Sequence, residues 1–488
     1  MKLSALLDDA RKYAGFTADS TLAANDPDIT GITDFTGNVT DGNIFVCVKG
    51  GKFDGHSAAA DMLANGAAAI VCERDLGLPN QIITENSRYF YGYLCAAMHG
   101  HPEKKMKMIG VTGTNGKTTM TTLIRDIFEA AGKKVGLIGT TGVFSGHEPI
   151  ERDESTPTTP KVGELYAILE KMLNDGCDTV VMEVTSFALD QNRIGPAHYD
   201  YAVFTNLTQD HLDYHGTMEN YYLAKRKLFD RCDHAVVDTD DSYGKRLFSE
   251  ISCDKYSYGL TEGADVYAHD ITPGDDMINF TLTMDGCDYP LSINLMGKFN
   301  AANTAAAVKI AMMSGISYKT VKAALEENKG VRGRCEIIPT GRDFMIICDY
   351  AHSPDALENV LPALKEQVAG RLICLFGCGG DRDRTKRPKM AQAAEKYADY
   401  LVVTSDNPRN EDPDAIIDEI FTGLTGAKPC DRITDRKEAI FHAVKIARKG
   451  DLILLAGKGH EDYQILAGGK HIHFDEREIA AEALKALD

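Results

Sequence analysis

A glycine-rich segment near the first quarter of the chain combines the residue types that bind phosphate. Glycines let backbone N–H groups approach phosphate oxygens, a lysine adds positive charge, and a hydroxyl can bind Mg²⁺. The strict form of this motif has glycine where this chain has Val111. The segment therefore predicts a variant phosphate-binding loop, with a simple helix-capping turn as the alternative. Its residues are Gly113, Thr114, Asn115, Gly116, Lys117, Thr118 and Thr119.

The flanking sequence predicts the elements that hold this loop. The apolar run 106–111 reads as a buried strand, and apolar residues at helical spacing follow from Lys117. The run 135–138 predicts the next strand, so the segment forms a βαβ unit with the loop at the helix N-terminus. The runs 179–184 and 202–205 predict further buried strands of the same sheet. The loop alone does not distinguish an ATPase, a kinase or a ligase.

The last third of the chain predicts a second parallel sheet. The apolar runs 344–348, 372–376, 400–404 and 452–456 alternate with amphipathic helical segments. Such alternation is typical of a doubly wound sheet, whose ligands lie at the carboxyl ends of the strands. We therefore expect ligand-binding residues at Asp349 and in the segments 377–383, 406–409 and 457–461.

Length and composition restrict the possible functions. A chain of 488 residues should form two to four domains. A formal charge of −19 disfavours nucleic acid and anionic lipid as partners. We find no apolar run long enough to span a membrane, and the first ten residues lack the apolar core of a signal peptide. We therefore expect a cytoplasmic protein without a membrane span.

Seven segments occur in a fixed order along the chain: 113–119, 183–186, 206–215, 297–303, 332–334, 349–354 and 406–409. Together they resemble the Mur ligase family, the ATP-dependent amino-acid ligases of peptidoglycan precursor synthesis. The resemblance covers nearly the whole chain. It implies an α/β protein with three domains: a smaller N-terminal α/β domain that binds the uridine nucleotide (1–103), a central P-loop-type parallel-sheet domain that binds ATP (104–334) and a C-terminal doubly wound, Rossmann-like domain that binds the amino acid (335–488).

The resemblance implies an enzyme that uses ATP and Mg²⁺ to add meso-diaminopimelate to UDP-N-acetylmuramoyl-L-alanyl-D-glutamate. The dipeptide carboxylate would become an acyl phosphate, the amine would attack it, and ADP and phosphate would be released. The segment 406–409 supports diaminopimelate, because relatives that add lysine usually lack an arginine at the position of Arg409. We expect a monomer. The alternatives are a sister ligase that adds lysine or another amino acid, a P-loop ATPase without ligase chemistry, and a nucleotide-binding module without chemistry.

The resemblance also implies the residues that perform the chemistry. Lys117 would bind the phosphates of ATP, and Lys225 would be carbamylated by CO₂, because a carbamate presents anionic oxygens to Mg²⁺. Thr118, Glu183, His211 and the carbamate of Lys225 would be the metal ligands, although histidine suits Mg²⁺ less well than carboxylate. The alternatives are a surface strand end for Glu183, a capping or core histidine for His211, and a solvated helical lysine for Lys225.

The remaining implied contacts fall into four groups. Asn303, Arg334, Asp349 and His352 would contact ATP, with a helix cap as the alternative for Asn303. The amino-acid pocket would use Arg382, Asp406, Asn407, Pro408, Arg409, Gly457 and Glu461, because arginine binds carboxylate and an acid binds ammonium, with surface ion pairs as the alternative for the arginines. The muramoyl dipeptide would contact Thr158, Thr159, Thr185, Gln191 and Arg193. Uridine would contact Thr36, Gly51, Lys52 and Phe53.

The chain departs from the family pattern at two of these sites. Thr185-Ser186-Phe187 stands where relatives usually have Ser-Ser-His. Phe35-Thr36-Gly37 stands where relatives often have Asp-Ser-Arg, so a hydroxyl remains but the arginine is missing.

Overall fold

The computed structural model describes residues 1–18, 22, 25–51, 53–151, 158–274 and 277–487. These residues form two compact units, Met1–Ser257 and Tyr258–Asp488. No helix in the described ranges is both long and apolar enough to cross a membrane. The division after Ser257 falls inside the segment 104–334 that the sequence predicts as one domain, so the three-domain division stays a prediction.

The first unit begins with a small mixed sheet. Its strands are β1 Phe16–Ala18, β2 Gly31–Thr33, β3 Asn43–Val46, β4 Ala69–Cys72 and β5 Gln81–Thr84, and its helices are α1 Leu3–Ala10, α2 Ala59–Ala64 and α3 Ser87–Met98. The strand order is β1-β5-β4-β3-β2, with β2 to β5 parallel and β1 antiparallel. Every residue of β3 and β4 is buried, because core clusters cover both faces of the sheet.

The second sheet of this unit holds the phosphate loop. Its strands are β6 Lys107–Thr112, β7 Val135–Gly139, β8 Gly142–Ser145, β9 Glu148–Pro149, β10 Thr179–Glu183, β11 Tyr199–Phe204 and β12 Cys232–Asp238. The order within the unit is β12-β11-β6-β10-β7-β8-β9, and the first five strands are parallel. The carboxyl ends of β6, β10 and β11 therefore lie side by side.

In the described residues, six helices accompany this sheet, and the first of them confirms the helix that the sequence predicts after the phosphate loop. They are α4 Lys117–Ala130, α5 Val162–Asn174, α6 Ser186–Asp190, α7 Leu212–His215, α8 Met218–Arg226 and α9 Ser242–Glu250. Helix α4 begins at Lys117 as predicted, and its apolar positions, including Leu123 and Ile127, are buried. Strand β13, Asp254–Gly259, crosses the boundary between the two units.

The second unit opens with antiparallel strands that the sequence analysis did not predict. They are β14 Val266–Pro273, β15 Ile278–Met284 and β16 Cys287–Ile293, followed by helices α10 Lys298–Met313 and α11 Tyr318–Glu327. Burial alternates strictly along β15, which is the period-2 pattern of a half-buried strand. The alternating residues of 278–284 were therefore a signal that could have identified this strand.

The rest of the second unit is the predicted doubly wound sheet. The strands are β17 Glu336–Ile338, β18 Met345–Asp349, β19 Leu372–Phe376, β20 Tyr400–Val403, β21 Cys430–Arg432 and β22 Leu452–Ala456, with a hairpin of β23 Tyr463–Leu466 and β24 Lys470–His473. The strand order is β17-β18-β22-β19-β20-β21, parallel except for β17. Two separate core clusters cover the two faces of the sheet, which confirms helices on both sides.

The helices of this sheet are α12 Pro354–Lys365, α13 Lys386–Tyr397, α14 Pro413–Phe421, α15 Arg436–Ile446 and α16 Glu476–Lys485. Short 3-10 helices lie at Thr36–Asn38, Gly55–Ala58, Pro102–Lys104, Phe229–Arg231 and Ala467–Gly469.

Candidate active site

The loop between β6 and α4 requires glycine at its first position. Gly113 has φ +153°, and a Cβ there would lie 1.8 Å from Thr205 Oγ1. Gly116 has φ +84° and directly precedes the helix. Side chains are strongly disfavoured in such conformations, so the loop depends on its glycines. An anion at this point would meet the N-terminal turn of α4 and its dipole.

The end of the neighbouring strand β11 holds the loop in place. The N–H groups of Thr114 and Asn115 donate to the backbone and side-chain oxygens of Asn206, each at 2.9 Å. Thr205 Oγ1 donates to the Asn115 carbonyl at 2.6 Å. Because these two N–H groups donate to Asn206, the predicted contact of N–H groups with phosphate stays a prediction for the start of α4 and not for Thr114 and Asn115.

Two lysines converge on a single carbonyl of the loop. Lys117 Nζ donates to the Gly113 oxygen at 3.0 Å and to the Thr114 oxygen at 2.8 Å. Lys225 Nζ, from α8, donates to the same Gly113 oxygen at 2.8 Å. Lys225 is only 1% exposed, so the alternative of a solvated helical lysine is wrong. Burial, together with the charge of Lys117, lowers the pKa of Lys225 well below its usual value.

Glu183 joins the phosphate loop to Thr140, a residue that the sequence analysis did not name. Its Oε1 accepts from Thr118 Oγ1 at 2.9 Å and from the Thr140 N–H at 2.8 Å, and its Oε2 accepts from Thr140 Oγ1 at 3.0 Å. The parallel register of β10 with β6 pairs Glu183 with Val111 and so positions it beside the loop. Glu183 is 1% exposed, so the alternative of a surface strand end is wrong.

The donors at this position fit Mg²⁺. Within the described ranges, no three His, Cys, Asp or Glu side chains gather in a group that could hold a metal. Mg²⁺ is usually held by one or two protein oxygens together with phosphate oxygens and water. The hydroxyl of Thr118 and the carboxylate of Glu183, 2.9 Å apart, are such a pair.

His211 lies near enough to Lys117 and Lys225 for their charges to act on it, but its immediate environment is aromatic. Its ring centroid lies 4.9 Å from that of Phe187, in an edge-on arrangement, and its Nε2 lies 3.3 Å from Asp210. It occupies the cap position of α7 with φ +53°, and its side chain makes no capping hydrogen bond. Burial and the charges of Lys117 and Lys225 outweigh Asp210 and lower the pKa of His211, which favours the neutral ring that a metal ligand requires.

The predicted dipeptide contacts gather around the end of β10. Thr159 Oγ1 donates to the Glu183 carbonyl at 2.9 Å and lies 3.1 Å from Thr185 Oγ1, and Thr158 Oγ1 lies 3.3 Å from Thr140 Oγ1. Arg193 donates twice to Gln191 Oε1, at 3.0 and 2.7 Å, and once to the Thr159 carbonyl at 3.4 Å. The structure therefore brings Thr158, Thr159, Thr185, Gln191 and Arg193 together beside Glu183.

The predicted uridine contacts are less connected. Thr36 opens a short 3-10 helix, and a Cβ on Gly51 would touch nothing within 4 Å. Phe53 is 54% exposed, and Lys52 lies outside the described residues. In the part of the chain that the structure describes, no hydrogen bond or ring contact joins Thr36 to Gly51 or Phe53.

Three of the nucleotide contacts predicted in the second unit, Arg334, Asp349 and His352, lie around Tyr350. Asp349 accepts from the N–H groups of Cys335 and Ala351 at 2.7 and 2.8 Å, and burial raises its pKa. The Arg334 guanidinium lies 4.8 Å from the centre of the Tyr350 ring, and His352 Nδ1 lies 2.7 Å from the Tyr350 carbonyl.

Asn303 is buried inside a helix. It lies on α10, which begins at Lys298, so the alternative of a helix cap is wrong. Its Nδ2 donates to Asn300 Oδ1 at 3.2 Å. Its predicted contact with adenine stays a prediction.

The predicted amino-acid pocket assembles at the carboxyl ends of β20 and β22. Asp406 is 6% exposed, and a Cβ on Gly457 would lie 2.8 Å from its Oδ2. Asn407 Nδ2 donates to Glu461 Oε2 at 3.0 Å. Burial would raise the pKa of Asp406, but the charges of Lys458 and Arg436 outweigh it and hold the pKa below its usual value. Burial and the charge of Asp406 raise the pKa of Glu461.

The arginines of this pocket differ in their partners. Arg409 follows Pro408 with φ +51° and donates to the Gly380 carbonyl at 3.0 Å. Arg382 donates to the Asp381 carbonyl at 3.3 Å. Burial of Arg409 and the charge of Arg382 both lower the pKa of Arg409. Arg384 is paired instead with Glu419. Arg382 and Arg409 therefore stay the predicted carboxylate contacts.

Sequence reasoning did not name two buried cations under this pocket, although one of them, Lys458, lies in the predicted ligand-binding segment 457–461. Lys458 and Arg436 are 0% and 1% exposed. Arg436 Nε donates to Glu476 Oε1, and Arg436 Nη2 donates to the Ala456 carbonyl, both at 2.8 Å. Lys458 lies between Gly457 and Gly459 immediately after a predicted strand, which was a usable signal for a functional residue.

Comparison with known proteins defines the class of protein. Family models of the Mur ligase middle domain and of the Mur ligase, glutamate ligase domain match residues 111–311 and 333–459. The protein belongs to the Mur ligase family. Among its relatives, UDP-N-acetylmuramoyl-L-alanyl-D-glutamate–2,6-diaminopimelate ligase from Bacillus cereus is 43% identical over 469 residues, 94% of each chain. Ligase 1 of the same name from Clostridium acetobutylicum is 44% identical, over 92% of this chain and 93% of that one.

Solved structures agree with this class. A structure of UDP-N-acetylmuramoyl-L-alanyl-D-glutamate–2,6-diaminopimelate ligase superposes with a TM-score of 0.68 and 32% identity, over 94% of this chain and 95% of that one. The MurF ligase from Thermotoga maritima in complex with ADP has a TM-score of 0.58 and 18% identity, over 93% and 96% of the two chains, and shows the shared fold.

Proposed function

We propose that the protein is an ATP-dependent amide ligase that adds meso-diaminopimelate to UDP-N-acetylmuramoyl-L-alanyl-D-glutamate in peptidoglycan precursor synthesis. The observation that carries the proposal is the phosphate loop with Lys117 and the Thr118–Glu183 pair, next to the dipeptide contacts at Thr159 and Arg193. A donor of phosphate and an acceptor carboxylate would thus be held on one sheet edge. The relatives named above support the identity of both substrates.

The residues of the first unit would promote formation of the acyl phosphate. Lys117 and the start of α4 would bind the phosphates of ATP, and Arg193 would bind the acceptor substrate. The acceptor carboxylate attacks the γ-phosphorus, the bond to ADP breaks, and an acyl phosphate forms. Thr118, Glu183 and His211 would hold Mg²⁺, which neutralises charge on the transferred phosphoryl group. Positioning and charge neutralisation therefore account for most of the expected catalysis.

Lys225 suits modification by CO₂. Its lowered pKa favours the neutral amine, and the amine attacks CO₂ to form a carbamate with loss of one proton. The modification would place an anion beside the Lys117 ammonium at the Gly113 carbonyl, and it would present anionic oxygens to the metal.

The second unit would supply the amine. Asn303, Arg334, Asp349 and His352 are proposed nucleotide contacts, and the pocket around Asp406 and Arg409 is the proposed diaminopimelate site. The amine of diaminopimelate attacks the acyl carbonyl, the amide bond forms, and phosphate leaves. We further propose a cytoplasmic monomer with domains 1–103, 104–334 and 335–488, the first binding uridine through Thr36, Gly51, Lys52 and Phe53. The family models at 111–311 and 333–459 support the last two domains.

A ligation assay tests the proposed function. The purified chain is given ATP, Mg²⁺, the UDP-linked dipeptide and equal concentrations of meso-diaminopimelate and L-lysine. We expect the diaminopimelate tripeptide as the main product, with phosphate release that requires both the dipeptide and the amine. A lysine product would indicate the sister ligase. Constant ATP hydrolysis without either substrate would indicate an ATPase.

Replacing Arg409 by alanine should weaken binding of diaminopimelate. A hydrogen-bonded arginine–carboxylate contact is worth about 2 kcal/mol, so the KM for diaminopimelate should rise about 30-fold while the KM for ATP stays unchanged. Slow ligation of L-lysine, which has no distal carboxylate, should change little. Arg432→Ala is the control, because Arg432 pairs with Asp414 and Asp418 at an exposed edge. Equal losses with both amino acids would refute this role for Arg409.

A further inference from the structure

A fully buried lysine lies beneath the proposed amino-acid pocket. Lys458 follows β22, and its side chain is 0% exposed. Its Nζ donates to Asn407 Oδ1 and to the Tyr463 carbonyl, both at 2.8 Å. It also lies 3.4 Å from Glu461 Oε2 and 3.5 Å from Asp406 Oδ1. A buried ammonium is unfavourable unless it is paired, and here the two pocket carboxylates pair with it.

The contacts of Lys458 leave no donor for a substrate. An ammonium group has three N–H bonds, and Asn407, Tyr463 and Glu461 provide three acceptors. Lys458 therefore acts on the pocket through other side chains. The most direct effect is on Asn407, whose Oδ1 also accepts from the Ile465 N–H at 3.0 Å. With two donors on Oδ1, the amide is oriented so that Nδ2 donates to Glu461 Oε2.

The combined charges of Asp406, Glu461 and Lys458 suit one ammonium ligand. Asp406 and Glu461 are two acids, and Lys458 is the cation that contacts both. The other buried cation, Arg436, has its own partner in Glu476. The ionised group therefore retains a net charge of −1. Arg382 and Arg409, which both lie beside Gly379, are the proposed carboxylate contacts, so the pocket complements an ammonium and a carboxylate together.

We propose that Lys458 is a positioning and specificity-determining residue: it orients Asn407 and balances one of the two pocket carboxylates, so that the pocket binds one ammonium group of the incoming diamino acid. The inference rests on the proposed ligase function and identifies what prepares its amino-acid site. Removing the charge of Lys458 should therefore weaken binding of the amino acid and leave activation of the dipeptide intact.

The experiment separates the two half-reactions in the full chain. Lys458→Met removes the charge while keeping a side chain of similar length, and Lys437→Met removes an exposed lysine that pairs with Glu482 in the same sheet domain. Each variant is assayed with ATP and the UDP-linked dipeptide, first with hydroxylamine, which traps an acyl phosphate as a hydroxamate, and then with meso-diaminopimelate. Hydroxylamine is too small to need the amino-acid pocket.

For Lys458→Met we expect hydroxamate formation within threefold of the unmodified chain, and a KM for diaminopimelate raised at least 30-fold. Lys437→Met should change neither. An unchanged KM, or a parallel loss of hydroxamate formation, would overturn the inference. If Lys458→Met does not fold, as judged by its thermal unfolding, Lys458→Gln enters the same assays with the same expectations. If the unmodified chain forms neither hydroxamate nor tripeptide, the proposed function itself fails, which is a distinct result.

Discussion

Replacing Lys117 by alanine should lower the rate of ligation about 1,000-fold, the size expected when a preorganised charge at a phosphoryl-transfer site is removed. Lys117 bridges the Gly113 and Thr114 carbonyls at the first turn of α4, where the phosphates of ATP would lie. Its ammonium is therefore positioned to offset charge that develops on the transferred phosphoryl group. The measurement is the single-turnover rate of tripeptide formation at saturating ATP.

The hydroxylamine reaction should fall by the same factor in this variant, because both reactions share the acyl-phosphate step. Lys133→Ala is the matched control. Lys133 follows the end of the same helix, and its exposed side chain lies 3.5 Å from Asp178. Ligation by Lys117→Ala at the normal rate would indicate that the loop binds nucleotide without taking part in the chemistry.

Replacing Lys225 by alanine should lower the rate of ligation about 100-fold to 1,000-fold. The loss is expected because the variant cannot form the carbamate that would place anionic oxygens beside the metal. Short carboxylic acids such as acetate or propionate should restore part of the rate, since a carboxylate can occupy the space of the missing side chain. The measurement is the rate of ligation as a function of added carboxylate.

Lys227→Ala provides the control for Lys225. Lys227 lies two residues further along the chain, is 46% exposed and pairs with Asp190, so its loss should change the rate less than twofold. The unmodified enzyme should not respond to added carboxylate. Full activity of Lys225→Ala in CO₂-depleted buffer would show that the carbamate assignment is wrong.

Local sequence predicted the strand and the helix on either side of the phosphate loop. The apolar run before Gly113 and the helical spacing after Lys117 are short-range patterns, and strand β6 and helix α4 follow them closely. The alternating strands and helices of the last third likewise predicted the doubly wound sheet, because each pattern spans only one element. The antiparallel strands β14 to β16 were missed, although β15 alternates strictly in burial.

The environment of the site residues depended on contacts between distant segments. Glu183 meets Thr118 across 65 residues, and Lys225 meets Gly113 across 112 residues. Neither contact has a local sequence pattern. The sequence was therefore also compatible with a surface position for Glu183 and with a solvated side chain for Lys225. Lys458 lies in the predicted segment 457–461 but was not named, because its contacts with Asn407 and Asp406 come from a different strand end.

Residue types and their spacing by themselves predicted the phosphate loop and the two parallel sheets, because these follow from short-range periodicity, and the order of the motifs gave the resemblance to the Mur ligase family. The tertiary structure decided which lysines are buried and which acids are paired. Those properties arise when parallel register brings separate strand ends to one edge of a sheet, where water is excluded and charges must find partners among residues far away in the chain.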